Sequence, residues 1–325
     1  MADTRAPIAA ATRFVHRHLL WLLVGSYSVA ALWPGPGLRL RDASLGTVTL
    51  AGESIRLSPV AILLAFLLFN GGLGIRLDQA KEVLRRPVLL GIGLVANIAL
   101  PVAVTAALAL GLAWWPDTEE YRDLIVGLAV IAAMPIAGSS VAWSQQTDGD
   151  LVLSLGLILG STLLSPLTSP AVLRAVGTIA SGDQAQHLRE LADGGAVVFL
   201  VLCVALPSLL GILLRGLVGG SRVDSARQPL ALAGSAALLL LCYANAAVSL
   251  PQAVAYPDLD YLALILVATS GLCVVGFIAG WWMARRLRAD RPQQTALMFG
   301  LGMSNNGSGL VLAATALSDH PRVML

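Results

Sequence analysis

Long apolar runs separated by short polar punctuation dominate the chain. Nine of them extend over approximately residues 18–33, 58–75, 88–113, 123–144, 151–176, 194–215, 229–249, 260–284 and 293–318. A helix needs roughly 20 mostly apolar residues to cross a hydrocarbon core of about 30 Å, so each run is a candidate spanning helix. A membrane β-barrel would show shorter alternating segments instead, and lipid tolerates no other spanning backbone. The pattern predicts an all-α polytopic membrane protein.

Two runs are interrupted from within. The fourth reads "LIVGLAVIAAMPIAGSSVAWSQQTDGD": apolar to Met134, then Pro135, Gly138, Ser139 and Ser140, then a second short helical piece. In the ninth, "TALMFGL" leads into Gly302 to Gly309 and "LVLAATAL" follows. Proline removes a backbone donor and glycine loosens the helical ladder. Backbone groups freed in this way at membrane depth must face protein or a wet cavity. A single break of this kind is as well explained by close helix packing through small residues. Two breaks five spans apart change the reading, because an odd offset inverts the second relative to the first. That layout is expected of an inverted-repeat transporter, in which discontinuous helices cross near the midplane and present half-helix ends to substrate and ions. Breaks at 135–140 and 302–309 are accordingly expected to touch, with repeats over 18–176 and 194–325.

Composition agrees: 325 residues are 57% hydrophobic and 12% charged, outside the range of soluble domains. The net charge of +2 matters less than where the charges fall. Arginine and lysine gather in an amino-terminal arm, 1–17 (Arg5, Arg13, Arg17), and in three connectors: Arg76, Lys81, Arg85 and Arg86; Arg215, Arg222 and Arg227; Arg285, Arg286, Arg288 and Arg291. The positive-inside rule makes these the cytoplasmic faces, with the amino terminus inside and the chain in the cell's inner (plasma) membrane. Acidic "WWPDTEEYRD" and "YPDLD" fall on the other side, although Arg39, Arg41, Arg56, Arg174 and Arg189 dilute the contrast. The first run lacks a small-residue cleavage site and is read as a retained helix.

Enzymatic chemistry finds no foothold. Cys203, Cys242 and Cys273 lie in separate apolar runs and are read as packing residues. His16, His18, His187 and His320 all lie outside the apolar cores, so Ser139 or Ser140 would have no general base as a nucleophile. Acidic Mg²⁺-binding motifs are missing from the spans.

Three segments carry a family resemblance. "PIAGSSVAWSQQTDGDLVLSLGLILGSTLLSPLTSPAVL" (135–173) resembles the fourth and fifth helices of the bile acid:sodium symporter family. "GWWMARRLRADRPQQTALMFGLGMSNNGSGL" (280–310) resembles its eighth and ninth, and "LLFNGGLGIRLDQAKEVLRRP" (67–87) its second helix and following connector. The resemblance implies a panel domain of helices 1, 2, 6 and 7 and a core domain of helices 3–5 and 8–10, with helices four and nine crossing. Nine helices are visible of the ten implied, and the sequence stops at "SDHPRVML" where the tenth would begin; the expectation is of a fragment.

The resemblance also implies positions for sodium ligands, and few are kept. Ser140 matches a ligand serine, but the next position, an asparagine in the family, is Val141. Ser154 matches a second serine, while the threonine one turn later is Ile158. The family's glutamate falls on Gly300 and its glutamine on Ser304; Asn305 retains an asparagine. The third-helix glutamine falls on Ala96, beside Asn97. Dehydrating Na⁺ calls for several oxygens, ideally including a carboxylate, and no Asp or Glu lies in the core of any span. Ser140, Ser154, Ser304 and Asn305 with backbone carbonyls form at most a residual, weak ion site, and sodium coupling is doubtful on these residues. No cofactor is expected beyond a possible Na⁺.

No Lys or Arg lies at mid-membrane either, so an anion would rest on the positive ends of half-helices. Ser139, Ser140, Asn305, Asn306 and Ser308 are the candidate substrate-binding residues, with an organic anion or small organic acid as substrate. Asn70 and Asn245 are better explained as helix-to-helix hydrogen bonds. Arsenite export, known in the wider superfamily, relies on a helix-four cysteine that is missing here. The function expected is secondary transport by alternating access. The alternatives are an uncoupled channel or facilitator, or a non-transporting membrane sensor on the same fold. The lipid bilayer is the environment, no nucleic-acid partner is expected, and the oligomeric state is left open.

Overall fold

The structure, a computed structural model, describes residues 5–50, 53–75, 82, 87–112, 114–180 and 183–316. In chain order, α1 spans Arg5–Leu32 and α2 Gly35–Asp42. Strands β1 (Thr47–Leu50) and β2 (Glu53–Arg56) pair antiparallel with Val48 opposite Ile55. Next come α3 (Pro59–Leu73), α4 (Pro87–Gly111), α5 (Thr118–Ala133), α6 (Ser139–Gln146), α7 (Leu151–Gly177) and α8 (Asp183–Glu190). α9 (Ala196–Val218) contains a π-helical turn at Leu200–Ala205. The rest are α10 (Gly220–Ser225), α11 (Arg227–Ala255), α12 (Leu259–Arg286), α13 (Arg291–Gly302) and α14 (Asn306–Ala316).

Among the described residues the spanning elements are all helical, as the apolar pattern predicts, and strands occur only in the long first connection. α4, α7, α9, α11 and α12 are each long and apolar enough to cross a membrane unbroken. The other apolar runs are divided or short. The first turns by 91° between Leu32 and Gly35, at "WPGPG", where proline prevents the ladder from continuing. α3 has 15 residues. The fourth run is split into α5 and α6, and the ninth into α13 and α14. The arm before residue 18 is helical from Arg5 and continuous with the first run. Arg76, Lys81, Arg85, Arg86 and the tail 317–325 lie outside the described residues.

Aspartates set where helices begin. Asp117 accepts from the N–H groups of Glu119 (2.8 Å) and Glu120 (3.2 Å), Asp150 from Leu153 (3.0 Å) and Asp258 from Tyr261 (3.3 Å). Asp290 and Gln293 form a reciprocal capping box at the start of α13, with bonds of 2.8 and 3.2 Å. Each satisfies amides that a helix start leaves open.

The chain divides into two compact units, Met1–Leu77 with Leu202–Pro257 and Asp78–Val201 with Asp258–Leu325. The first therefore holds apolar runs one, two and seven and most of run six, and the second holds runs three to five, eight and nine. This is the panel-and-core division that the family resemblance implies. In the first unit Ala30, Ala246 and Ala247 form a small-residue core between α1 and α11. There Arg215 donates to the terminal carbonyl of α3 at Leu73 (2.9 Å) and pairs with Asp224 (3.1 Å). In the second unit α12 lies against α13 through Gly276 and Gly280, where a Cβ would stand 2.4 Å from the Leu301 carbonyl and 2.7 Å from the Leu297 carbonyl. This close approach is available only to glycine.

Candidate functional site

Both helix breaks lie in the second unit, and they are joined. Chain from the two breaks forms an antiparallel bridge between Ile136 and Ser304. The Ala137 N–H donates to the Met303 carbonyl (2.9 Å) and the Asn305 N–H to the Pro135 carbonyl (2.8 Å). Met134 and Met303 are both extended, at φ −83°, ψ 146° and φ −132°, ψ 109°. Two segments more than 160 residues apart thus supply each other with the partners their helices no longer provide.

The remaining freed groups are met from nearby. Ser161 of α7 accepts from the buried Ile136 N–H (3.1 Å), and Ser169 of the same helix donates to the Ala133 carbonyl, the last of α5. Across the junction, the Asn305 side chain accepts from the Ser308 N–H (3.3 Å) and caps α14. The Ser308 hydroxyl donates to the Asn305 carbonyl (3.0 Å), and the Cys273 thiol donates to the Gly302 carbonyl (3.2 Å). α7 manages its own proline similarly: Pro166 offers no N–H to the Thr162 carbonyl, and the Ser165 hydroxyl donates there instead (2.8 Å). Side chains and the facing segment thus meet much of the backbone that the breaks free, as membrane burial demands.

The helices resume sooner than the sequence suggests. α6 begins at Ser139 and α14 at Asn306, so the non-helical residues are 134–138 and 303–305. The Asn305 cap explains why Gly307 and Gly309 can lie inside a helix.

The sequence candidates separate into distinct roles. Ser139 and Asn306 are exposed, and Ser304 and Asn305 half-buried. Ser308 is fully buried and hydrogen-bonded. Ser154 lies in another network, its hydroxyl donating to the Asp150 carbonyl and accepting from the Ser144 hydroxyl, both at 2.9 Å. Ser140 stands apart: it is 1% exposed, in the first turn of α6, and its hydroxyl has no partner. A buried unmatched hydroxyl costs about 1–3 kcal/mol and calls for an explanation. In the first unit, Asn70 donates to the Leu230 carbonyl of α11 (3.0 Å), a helix-to-helix bond as expected, whereas the buried Asn245 Oδ1 has no hydrogen-bond partner among the described residues, contrary to the helix-to-helix bond expected of it.

Beside the crossing, the position implied for a carboxylate is filled. A Cβ on buried Gly300 would meet Leu157 Cδ1 at 3.0 Å and Ile136 Cδ1 at 3.9 Å, and one on Gly93 of α4 would meet Leu157 Cδ2 at 2.5 Å. Leu157, 0% exposed, sits between these glycines and forms a core with Ile136, Leu153, Ala284, Ala296 and Leu297. Ile158 packs against the same core. A second junction lies farther along, where the Asp150 N–H donates to the Pro292 carbonyl (2.8 Å). Trp143 of α6 stacks on Phe299 of α13 at 6.5 Å, and Phe299 meets Phe277 of α12 edge-on at 5.4 Å.

Sequence reasoning passed over Ser161, Ser169 and Leu157. The serines carried a signal: Ser154, Ser161, Ser165 and Ser169 recur at helical spacing and define one polar face of α7. Leu157 lies on the same face, three residues after Ser154 and four before Ser161, although nothing in the sequence showed what it would pack against.

A helical membrane protein with two discontinuous helices locked at their breaks belongs to a class of transporters. The chain matches the Sodium Bile acid symporter family over residues 61–256, more than half its length, and belongs to that family. It is a multi-pass membrane transport protein. It is 23% identical over 261 residues to a protein of Bacillus subtilis (strain 168) named an uncharacterized sodium-dependent transporter, YocS, covering 80% of this chain and 75% of that one. It is also similar to the uncharacterized protein YbaS of the same organism, at 26% identity over 256 residues and 77% of each chain.

Proposed function

We propose that the protein is a secondary transporter of an organic anion or small organic acid, working by alternating access, with its substrate held at the crossing of the two broken helices. The observation that carries this reading is the unpartnered hydroxyl of buried Ser140 in the first turn of α6, beside the bridge between Ile136 and Ser304. Half-helix starts at Ser139 and Asn306 favour negative charge through their open amides and dipoles. Ser139, Ser140, Asn305, Asn306 and Ser308 are the residues assigned to it, with Ser140 the donor that gains a partner on binding. The amino terminus and the arginine-rich connectors face the cytoplasm of a plasma membrane.

Sodium is a transported ion in this family rather than a resident cofactor. The sodium-dependent relative argues for coupling here. Against it stand Val141, Ile158 and Gly300, which offer no side-chain oxygen, and Leu157, which fills the space next to Gly300. The proposal follows the side chains: transport with little or no dependence on sodium, and Ser140, Ser154, Ser304 and Asn305 as a residual ion site.

The test is uptake of labelled organic acids by the reconstituted protein under inward NaCl or KCl gradients. Saturable uptake that is equal in the two salts and falls at least tenfold in Ser140→Ala is expected. Saturable uptake only with NaCl would overturn the reading on sodium. Uptake unaffected by Ser140→Ala would overturn the site, and linear, non-saturating flux would indicate a channel.

A further inference from the structure

The carboxy-terminal end of α12 carries an exposed basic turn away in sequence from both helix breaks. Leu287, Arg288 and Ala289 close the helix in a Schellman motif: the Ala289 N–H donates to the Ala284 carbonyl (2.9 Å) and the Arg288 N–H to the Arg285 carbonyl (3.2 Å). Such a turn needs a left-handed residue at its centre, normally glycine. Here it is arginine, with φ of 53°. A chain with 32 glycines that keeps arginine in a left-handed turn accepts backbone strain for that side chain.

Its neighbours suggest the purpose. Arg285 lies over the Trp281 ring at 4.5 Å and Arg286 over the Trp282 ring at 4.9 Å, each one turn apart. Both tryptophans and the four arginines at 285, 286, 288 and 291 are exposed, and among the described residues none of these arginines forms an ion pair. The one carboxylate in the segment, Asp290, is engaged in capping α13. Segment 285–291 therefore carries four positive charges and one negative. α12 has 28 residues, about 42 Å at 1.5 Å per residue, against a hydrocarbon core of about 30 Å. Its last turns reach headgroup level, where tryptophan settles and arginine meets phosphate.

We propose that the turn between α12 and α13 is a binding site for anionic phospholipid headgroups. Stacking on the indoles holds the Arg285 and Arg286 guanidinium groups in place, and the left-handed turn presents Arg288 beside them, so that a lipid phosphate is met by several aligned donors rather than by mobile point charges. The arginine-rich face assigns this site to the cytoplasmic leaflet, which is the anionic one.

Native mass spectrometry of the full chain in detergent, titrated with phosphatidylglycerol or with phosphatidylcholine of the same acyl chains, tests the assignment. Phosphatidylglycerol is expected to bind roughly tenfold more tightly, given the attraction typical of several basic residues at a membrane surface. R285Q/R286Q should reduce that preference to less than twofold. R288G, which relieves the turn and so folds readily, should reduce it about threefold while raising the melting temperature. R39Q/R41Q on α2 should leave it unchanged. Equal binding of the two lipids, a preference that survives in R285Q/R286Q/R288G, or an equal loss in R39Q/R41Q would overturn the proposal. Displacement of phosphatidylglycerol by millimolar inorganic phosphate would overturn it too, marking a site for free anions instead of a membrane surface.

Discussion

The two helix breaks are bridged to each other, yet they are stabilised differently. The first, 134–138, is held from outside: Ser161 and Ser169 reach it from α7 and meet the Ile136 N–H and the Ala133 carbonyl. The second, 303–305, is largely held from within, by the Asn305 cap and the Ser308 hydroxyl of its own following helix. Proline accounts for much of the contrast. Pro135 removes a donor and restricts the residue before it, so beyond the local bonds of Met134 N–H to Ile131 (3.1 Å) and Ser140 N–H to Ala137 (3.0 Å) the first break draws on side chains of α7. Asn305 can adopt a cap geometry and does. One break is thus as stable as its neighbour helix allows, and the other depends on local residues.

The largest expected effect comes from filling the space between them. Gly300→Glu would push a carboxylate against Leu157 and Ile136 with no cation to pair with, and should lower stability by about 3 kcal/mol or more. Adding Val141→Asn, Ile158→Thr and Leu157→Ala supplies oxygens and room. That combined variant should gain a melting-temperature rise in NaCl over KCl that the parent lacks, by ligand linkage. A sodium-specific rise in the parent itself would show that hydroxyls and carbonyls suffice for a cation.

Next in size is Ser161→Ala, which strands the buried Ile136 N–H and should cost about 1–3 kcal/mol in chemical unfolding. Asn305→Ala removes a helix cap and should cost about 1 kcal/mol, with Asn305→Asp retaining most of the stability. An Asn305→Asp variant as unstable as Asn305→Ala, or a Ser161→Ala variant with no loss, would erase the distinction between inside and outside support.

Much of this architecture was legible in the chain. Apolar run length located the spanning helices, and Pro135 with the glycines of 302–309 marked where two of them break. Periodicity could not show how the freed backbone is satisfied, because the partners are distant: Asn305 N–H to Pro135 is a pairing across 170 positions. Nor could it distinguish Gly307 and Gly309, which lie within α14, from Gly302 at the end of α13, since one asparagine side chain decides where the helix restarts. The partners of Leu157 were invisible for the same reason. The serine face of α7 turns Leu157 inward, but that it plugs the space between Gly93 and Gly300 depends on how α4 and α13 pack against it, contacts over more than 60 and 140 positions that periodicity does not carry.

The finest contrast uses one serine from each break. Ser140 and Ser308 are 1% and 0% exposed, each near the start of a half-helix. Ser308 donates to the Asn305 carbonyl at 3.0 Å, whereas the Ser140 hydroxyl has no partner. Alanine should therefore act with opposite signs. Ser308→Ala removes a made bond and should cost about 1 kcal/mol, while Ser140→Ala removes an unmatched polar group and should be neutral or stabilise by about 1 kcal/mol. The unmatched hydroxyl is tolerated, on this view, because a substrate completes it, so the stabilised Ser140→Ala protein should also be the one that transports poorly. Paired measurements of melting temperature and uptake on the two variants decide the matter. If Ser140→Ala destabilises as Ser308→Ala does, the hydroxyl is already satisfied in the resting protein and is not held open for a ligand.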